Sequence, residues 1–321
     1  MTTKKLSELG EFGLIDKIAD MLRTFESDEL TKGIGDDCAV LKSSCKDEGY
    51  LLLTTDMLVE GDHFDRSWQS PRQIGWKSII ANISDIAAMG GLPKWGLISI
   101  AFPDYITESF ADELFEGMVS SSQKYGLDLV GGDTTHGDDL VVNVALIGEV
   151  EKEFLSLRGD AKEGDLICVS GDLGKSWAGL ELLRAGEEGY TDYYLSPDCR
   201  LELGRDIAKH VNGMIDVSDG LASEVTHISE ESGLGAEVYK QKVPISERTK
   251  RTGEILDKDP MWWALSGGED FELVFTIPPE KLEMINDKDI SVVGKMIDEG
   301  LYLINEEGQK EKLEGGYNHF G

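Results

Sequence analysis

Six short segments of this chain set a carboxylate beside glycine, a hydroxyl residue or the end of an apolar run. They are Gly33-Ile-Gly-Asp-Asp37, Thr54-Thr-Asp56, Asn82-Ile-Ser-Asp85, Gly131-Gly-Asp-Thr-Thr135, Asp216-Val-Ser-Asp219 and Gly267-Gly-Glu-Asp270. Magnesium takes hard oxygen ligands in octahedral geometry and commonly sits between a few carboxylates and a substrate phosphate. Short aspartates on glycine turns can converge on such ions without bulky neighbours, and Thr54, Thr55 and Ser218 could fill further positions with hydroxyl or backbone oxygens. Asp beside Gly is equally the common chemistry of turns, and Asp before a helix is a favoured cap. Asp219 could cap a helix starting at Leu221, and Asp133 could close a strand over Leu127–Gly132 as an Asx-turn. One such motif decides nothing. Six, mostly at expected strand ends or helix starts, favour a site for metal and phosphate.

The elements that must position these motifs are read from apolar periodicity. Strand character falls on Tyr50–Asp56, Gly96–Phe102, Leu140–Val150, Asp165–Ser170, Met214–Val217, Phe271–Ile277 and Ile290–Gly294. Helical patterns cover Gln73–Met89, Phe110–Tyr125, Gly174–Ala185, Asp198–Val211 and Leu221–Ser232. Asp56 follows Leu51-Leu-Leu53 and is expected at the carboxyl edge of a buried strand, while Ser78, Asn82, Asp85 and Met89 form a largely polar stripe on a helix whose other face is isoleucine. Strands and helices mix without strict alternation, so the expected class is α/β with mixed α+β character. A charged turn near Glu149–Gly159 divides the chain into residues 1–150 and 151–321.

Composition removes several function classes. The chain has 321 residues, with 62 acidic against 31 basic side chains and a formal net charge of −31. A nucleic-acid coat or an anionic membrane surface normally calls for a basic face. The four cysteines, Cys38, Cys45, Cys168 and Cys199, form no C-x-x-C pair, and the scattered histidines give no zinc spacing. Met1 to Gly13 lacks the apolar stretch of a secretory signal, so the cytoplasm is the expected compartment. Gly171-Asp-Leu-Gly-Lys-Ser176 imitates a phosphate-binding P-loop, but Val169 stands where the first glycine is needed, five residues before Gly174. It reads as a glycine-rich strand-to-helix turn.

Taken in order, GEFGLI (Gly10–Ile15), GIGDDCAV (Gly33–Val40), TTDMLVEGDHF (Thr54–Phe64), ANISDIAAMGG (Ala81–Gly91), GGDTT, GDLGKSWAGL (Gly171–Leu180), DVSDGL, LSGGEDFEL (Leu265–Leu273) and GYNHF (Gly316–Phe320) closely resemble the thiamine-monophosphate kinase family over nearly the whole chain. The resemblance implies two α/β domains of the aminoimidazole-ribonucleotide synthetase type. It also implies a homodimer in which strands of the N-terminal domains pair across subunits. The first domain would bind ATP and magnesium, and the second would complete the active site. By the same resemblance, magnesium ligands would be Asp37, Thr54, Thr55, Asp56, Asp85, Asp133, Asp216 and Asp219. ATP contacts would fall on Tyr125, Gly132, Asp133, Arg158 and Ser218, and the thiamine end would meet His63, Glu269 and Phe320. Asp62 and His136 depart from the family's pattern and bear on the fine detail of ligand contact.

The implied reaction is transfer of a phosphoryl group from ATP to thiamine monophosphate. The attacking phosphate oxygen is largely ionised at neutral pH, its second pKa being about 6, so in-line transfer needs neither a general base nor a covalent nucleophile. Alternatives are a sibling enzyme of the aminoimidazole-ribonucleotide or selenophosphate synthetase type, a multi-metal phosphohydrolase, and a non-catalytic acidic or calcium-binding module. The calcium-loop pattern D-x-[DN]-x-[DN]-G is absent from the sequence.

Overall fold

The computed structural model describes residues 11–22, 27–43, 49–285 and 289–317. Phe320 and Cys45 lie outside them. The first domain runs α1 (Glu11–Leu22), β1 (Leu30–Lys32), β2 (Ala39–Lys42), β3 (Gly49–Val59), α2 (Pro71–Ala88), β4 (Leu92–Phe102), α3 (Glu108–Tyr125), β5 (Asp128–His136) and β6 (Val141–Glu151). Its sheet has the order β1-β2-β3-β6-β4-β5, antiparallel except where β5 joins β4 in parallel. That parallel pair needs a crossover, and α3 supplies it.

The alternation of strand side chains decides which residues can meet. Leu52, Leu58, Ile98, Ile100, Val142, Val144 and Leu146 point to one face and are buried beneath α2 and α3. Leu53, Met57, Trp95 and Leu97 point to the other face and are exposed, as is Val130 on β5. β3 continues to Val59, so Asp56 stands in mid-strand opposite Val144 and not at the strand's end as the apolar run suggested.

Helix α2 is the central element. Ser70 caps it in a capping box with Gln73, and Pro71 opens it. Ile79, Ile80, Ile83 and Ile86 are all fully buried, and so are Lys77, Ser78, Asn82 and Ser84. A helix buried on both sides must be sandwiched, and α2 packs on β3 and β6 of its own sheet and on the second domain beyond. Its crossing with α3 is close because Gly75 lies against the Leu114 carbonyl and Gly117 against that of Arg72.

The second domain comprises β7 (Leu166–Ser170), α4 (Lys175–Ala185), α5 (Asp192–Leu195), α6 (Leu201–Ile207), β8 (Met214–Asp216), α7 (Leu221–Ser232), β9 (Gly235–Tyr239), α8 (Glu247–Leu256), α9 (Pro260–Ser266), β10 (Leu273–Ile277), β11 (Ile290–Ile297), β12 (Leu301–Ile304) and β13 (Lys310–Lys312). Its sheet order is β13-β12-β9-β11-β7-β10-β8. Edge strand β8 and helix α6 abut α2 of the first domain. No helix among the described residues is long and apolar enough to cross a membrane.

A methyl group at Gly75 or Gly117 would overlap backbone atoms of the facing helix, which side-chain motion cannot relieve. Gly75→Ala and Gly117→Ala are each expected to destabilise the protein by about 1–3 kcal/mol or more. Urea unfolding would measure the loss, and an unchanged midpoint would refute this account of the helix crossing.

Candidate active site

Three carboxylates meet where α2 passes between β3 and β8. Ligand oxygens of Asp37, Asp85 and Asp216 lie within 4.8 Å of one another. Asp37 comes from the loop before β2, Asp85 from the last turn of α2 and Asp216 from the end of β8. Asp56 reaches the group from mid-β3, within hydrogen-bonding reach of Asp85. The Thr54 hydroxyl, two residues away and therefore on the same strand face, donates to Asp85 Oδ2. Ser84 Oγ donates to Asp216 Oδ2 at 2.6 Å.

The charge balance at this point is unfavourable. Burial pushes Asp85 well above the usual carboxylate range, with Asp56 and Asp216 adding to the rise. Asp216 is raised in the same way by burial and then by Asp37. Asp56 is pushed up to about 6 chiefly by burial, and Asp36, behind the cluster, to about 7 by burial and Asp37. Among the described residues two cations offset the group: Arg158 bonds Asp37 Oδ1 at 2.5 Å, and Lys32 stands 3.8 Å from Asp36 Oδ2. Asp37 Oδ2 and Asp56 Oδ2 are buried without hydrogen-bond partners. Orphaned carboxylate oxygens among converging aspartates fit a hard divalent cation such as magnesium.

Strand parity separates the remaining expected ligands. Thr55 points away from Thr54 and Asp56; its hydroxyl donates to the Val144 carbonyl at 3.0 Å and accepts from Asn143. Gly132 and Asp133 lie in the exposed edge strand β5, paired with Ile98 and Ser99. Asp133 lies within its strand rather than closing it, three strands from β3, or about 14 Å at the usual spacing. Within one chain its side chain does not join the cluster. Ser78 and Asn82 on the polar stripe of α2 bond carbonyls of their own helix. The Tyr125 hydroxyl donates to Asp198, beside Lys124.

A cavity opens beside the cluster, its walls including His63, Trp177, Tyr194, Asp219, Glu269 and Tyr317. The Asp216–Asp219 loop joins the two: Asp216 belongs to the carboxylates, while Ser218 and Asp219 line the cavity. Three residues span at most about 10 Å, so cluster and cavity are neighbours. Buried Glu224 braces this loop, accepting from the backbone amides of Ser218 and Asp219 at 3.2 and 2.8 Å. The cap of α7 is Gly220.

The Gly267–Asp270 loop forms another wall. Gly268 presses against the Ser218 carbonyl, where a side chain would collide. Glu269 and Phe271 adopt left-handed backbone at φ 64° and 49°, a strain of about 1–3 kcal/mol each that clusters at functional sites. Asp270 turns inward, accepting from the amides of Gly174 and Ser176 at 2.5 and 2.9 Å. The turn that imitates a P-loop is thus filled by the protein's own carboxylate. Beside it Glu272 receives Lys175, Arg200 and Ser170.

Sequence reasoning missed Glu224 and Lys77. Glu224 was legible only as a surface residue of α7, and Lys77 only as a lysine on an isoleucine-rich helix. Lys77 is 1% exposed, and its ammonium donates to Glu269 Oε2 at 2.6 Å and to the His63 carbonyl at 2.8 Å.

Known proteins are similar to this chain in sequence and fold. Residues 35–150 match the N-terminal domain, and residues 162–304 the C-terminal domain, of AIR synthase related proteins. The chain is 39% identical to the thiamine-monophosphate kinase of Aquifex aeolicus, covering 98% of this chain and all of that one. It is 37% identical to the enzyme of the same name from Bacillus subtilis, covering 97% and 100%. The solved structure of AaThiL complexed with AMPPCP and TMP superposes with a TM-score of 0.88 at 37% identity, covering 99% of this chain and 100% of that one.

A carboxyl whose pKa is raised on folding binds its proton more tightly folded than unfolded. Its contribution is present below the unfolded value near 3.8 and is lost as pH rises through the folded values, about 6 for Asp56 and about 7 for Asp36. In metal-free buffer the melting temperature is therefore expected to fall between about pH 5 and 8 and to recover when magnesium is added. D85N removes one like charge and is expected to raise the metal-free value at pH 8, by roughly 2–4 °C per kcal/mol relieved, and to blunt the magnesium shift. A metal-free D85N protein that melts below wild type would contradict the repulsion.

Proposed function

The chain belongs to the thiamine-monophosphate kinase family of AIR synthase related proteins, and from that premise we propose how its site works. The activity is ATP-dependent phosphorylation of thiamine monophosphate to thiamine diphosphate. The observation that carries the reading is the single loop, Asp216–Asp219, that takes the chain from the carboxylate cluster into the aromatic cavity. Phosphates would lie at the carboxylates and the organic part of the acceptor in the cavity. There Trp177 and Tyr317, with ring centroids 5.7 Å apart, offer faces for a cationic thiazolium, and Glu269 supplies opposite charge. His63 lines the same cavity, and we assign Phe320 to this end from the motif alone.

Asp37, Asp56, Asp85 and Asp216, with Thr54, would hold magnesium, and Asp219 at the other end of the loop is the further candidate. Magnesium bound there supplies charge neutralisation to the phosphates of both substrates. The chain's own contribution is placement. A phosphate oxygen of the acceptor forms the new bond to the γ-phosphorus as the bond to the ADP oxygen breaks. That oxygen already lacks its proton in most molecules at pH 7, which is why no side chain is needed to remove one. We assign Arg158, anchored by Asp37, and Ser218 to ATP from the motifs.

We propose that the enzyme works as a homodimer. Exposed Met57, Trp95, Leu97 and Val130 form an apolar face on the uncovered side of the first sheet, and such a patch marks an interface. Gly132 and Asp133, assigned to ATP and magnesium, border this face, so a second copy covering it would enclose them. Tyr125 and Thr55 are the ATP and metal candidates with least support, since their hydroxyls are engaged elsewhere. The thiols of Cys38, Cys168 and Cys199 are free and buried, in keeping with the cytoplasmic setting that we propose.

An ADP-coupled assay is expected to show turnover with thiamine monophosphate and magnesium, and none when either is omitted. D216N should lower kcat at least 100-fold. Phosphate release without an acceptor would instead support a hydrolase, and preference for aminoimidazole-ribonucleotide precursors or selenide would support a sibling enzyme. L97E and M57E should convert a dimer to folded monomer by sedimentation; a wild-type monomer would remove the dimer proposal.

A further inference from the structure

Lys77 has no part in the chemistry described above, yet it occupies a costly position. It is 1% exposed, and burial pulls its pKa down against the raising effect of Glu269. A hydrophobic residue of similar length would fill the space without that desolvation cost, and buried ion pairs are weak sources of net stability. What the ammonium does have is an unusual set of neighbours. It bonds Glu269 Oε2 at 2.6 Å and the His63 carbonyl at 2.8 Å, and it stands 4.2 Å from the centre of the Tyr194 ring. The Tyr194 hydroxyl donates to the same His63 carbonyl at 3.1 Å. His63, Tyr194 and Glu269 come from three distant parts of the chain and all line the cavity.

Glu269 also needs restraint. Its backbone is left-handed at φ 64° and its side chain is 28% exposed. A long carboxylate on such a loop has many rotamers, and an ion pair to a rigid helix removes most of them. Helix α2 is rigid, being buried on both sides, and the same helix carries Asp85 eight residues on. At 1.5 Å per residue the two positions are about 12 Å apart along the axis. One helix therefore sets the placement of the cavity wall relative to the carboxylates.

We propose that Lys77 is a positioning residue for the acceptor: it fixes the Glu269 carboxylate and the His63 segment in the geometry that receives the cationic end of thiamine monophosphate. The assignment rests on the kinase reading of this site. Lys77 touches no substrate and acts through Glu269 and His63.

The test is steady-state kinetics of the magnesium-loaded enzyme with each substrate varied in turn, on wild type, K77M, K77R, E269Q and K77M/E269Q, with folding checked by circular dichroism and melting. Wild-type turnover of thiamine monophosphate tests the kinase reading by itself, and its absence would fail that reading before any variant is compared. Given turnover, K77M is expected to raise KM for thiamine monophosphate at least 10-fold, with KM for ATP within twofold. K77R, which keeps the charge but moves the donors, is expected to raise it at least threefold. Because Lys77 acts in part through Glu269, K77M/E269Q should fall short of the product of the single effects. An unchanged acceptor KM in K77M, equal rises in both KM values, or multiplying single effects would overturn the proposal. If K77M does not fold, K77R decides on the same KM split: an acceptor KM within twofold of wild type overturns it.

Discussion

The constraint that the rest of this structure depends on is like-charge repulsion held out of water. Four aspartates from four separate segments, the loop before β2, mid-β3, the end of α2 and the end of β8, converge with Arg158 as the cation bonded among them. Left alone, such a group is relieved by taking up protons or by opening. The structure limits both outcomes with neutral donors: Thr54 on Asp85 and Ser84 on Asp216. What those donors leave undone is visible as the partnerless oxygens of Asp37 and Asp56. The fold is therefore less stable at this point than an apolar core would be, a deficit that a bound cation would offset.

Holding the deficit in place needs a stiff support, which explains why α2 is built as it is. Buried isoleucines lock one side to the sheet, and Gly75 and Gly117 bring α3 against it at backbone distance. The second domain closes the other side through α6 and β8. The joint between the domains is thus the site itself, with Asp85 from one and Asp216 from the other. The Gly267–Asp270 loop is tied to the same joint through Glu269 and Lys77, and through the bond from the Glu269 amide to the Ser218 carbonyl.

Much of this was legible in the residues, and what was not has physical reasons. Glycine marked Asp37, and a hydroxyl residue or an apolar run beside the carboxylate marked Asp56, Asp85 and Asp216. The strand over 50–56 was also legible, but its end was not. β3 runs on through Asp56 because Thr, Asp and Met alternate between a polar interior and an exposed outer face, a pattern that resembles a turn when only the apolar run is followed. The same parity sends Thr54 and Thr55 to opposite faces, which the string Thr-Thr-Asp cannot reveal until register is known. The polar stripe on α2 was legible, yet Ser78 and Asn82 spend their hydrogen bonds within the helix, while Ser84, off the stripe, reaches Asp216. Asp270 shows the limit of motif reading: it has the same Gly-Gly-Glu-Asp setting as a ligand and serves as the anion at the start of α4. Lys77 and Glu224 lie beyond sequence reasoning because burial of a charge is a tertiary event.

The net charge of −31 poses the question of how so acidic a chain handles two anionic substrates. Long-range repulsion is damped within about 8–10 Å at physiological ionic strength, so most of the surface carboxylates are irrelevant at the site. The charges that matter are the buried ones, and their sign is local. With hard cations on the aspartates, the phosphates meet positive charge, because a bound ion is the largest local charge present. Without them the same aspartates repel both substrates. On the proposed reading, Glu269 and the aromatic walls would then act on the one part of the acceptor that is cationic. In the proposed site, acidity would thus do opposite work at the two ends: at one it would recruit the cations that attract phosphate, and at the other it would attract the acceptor's own positive charge.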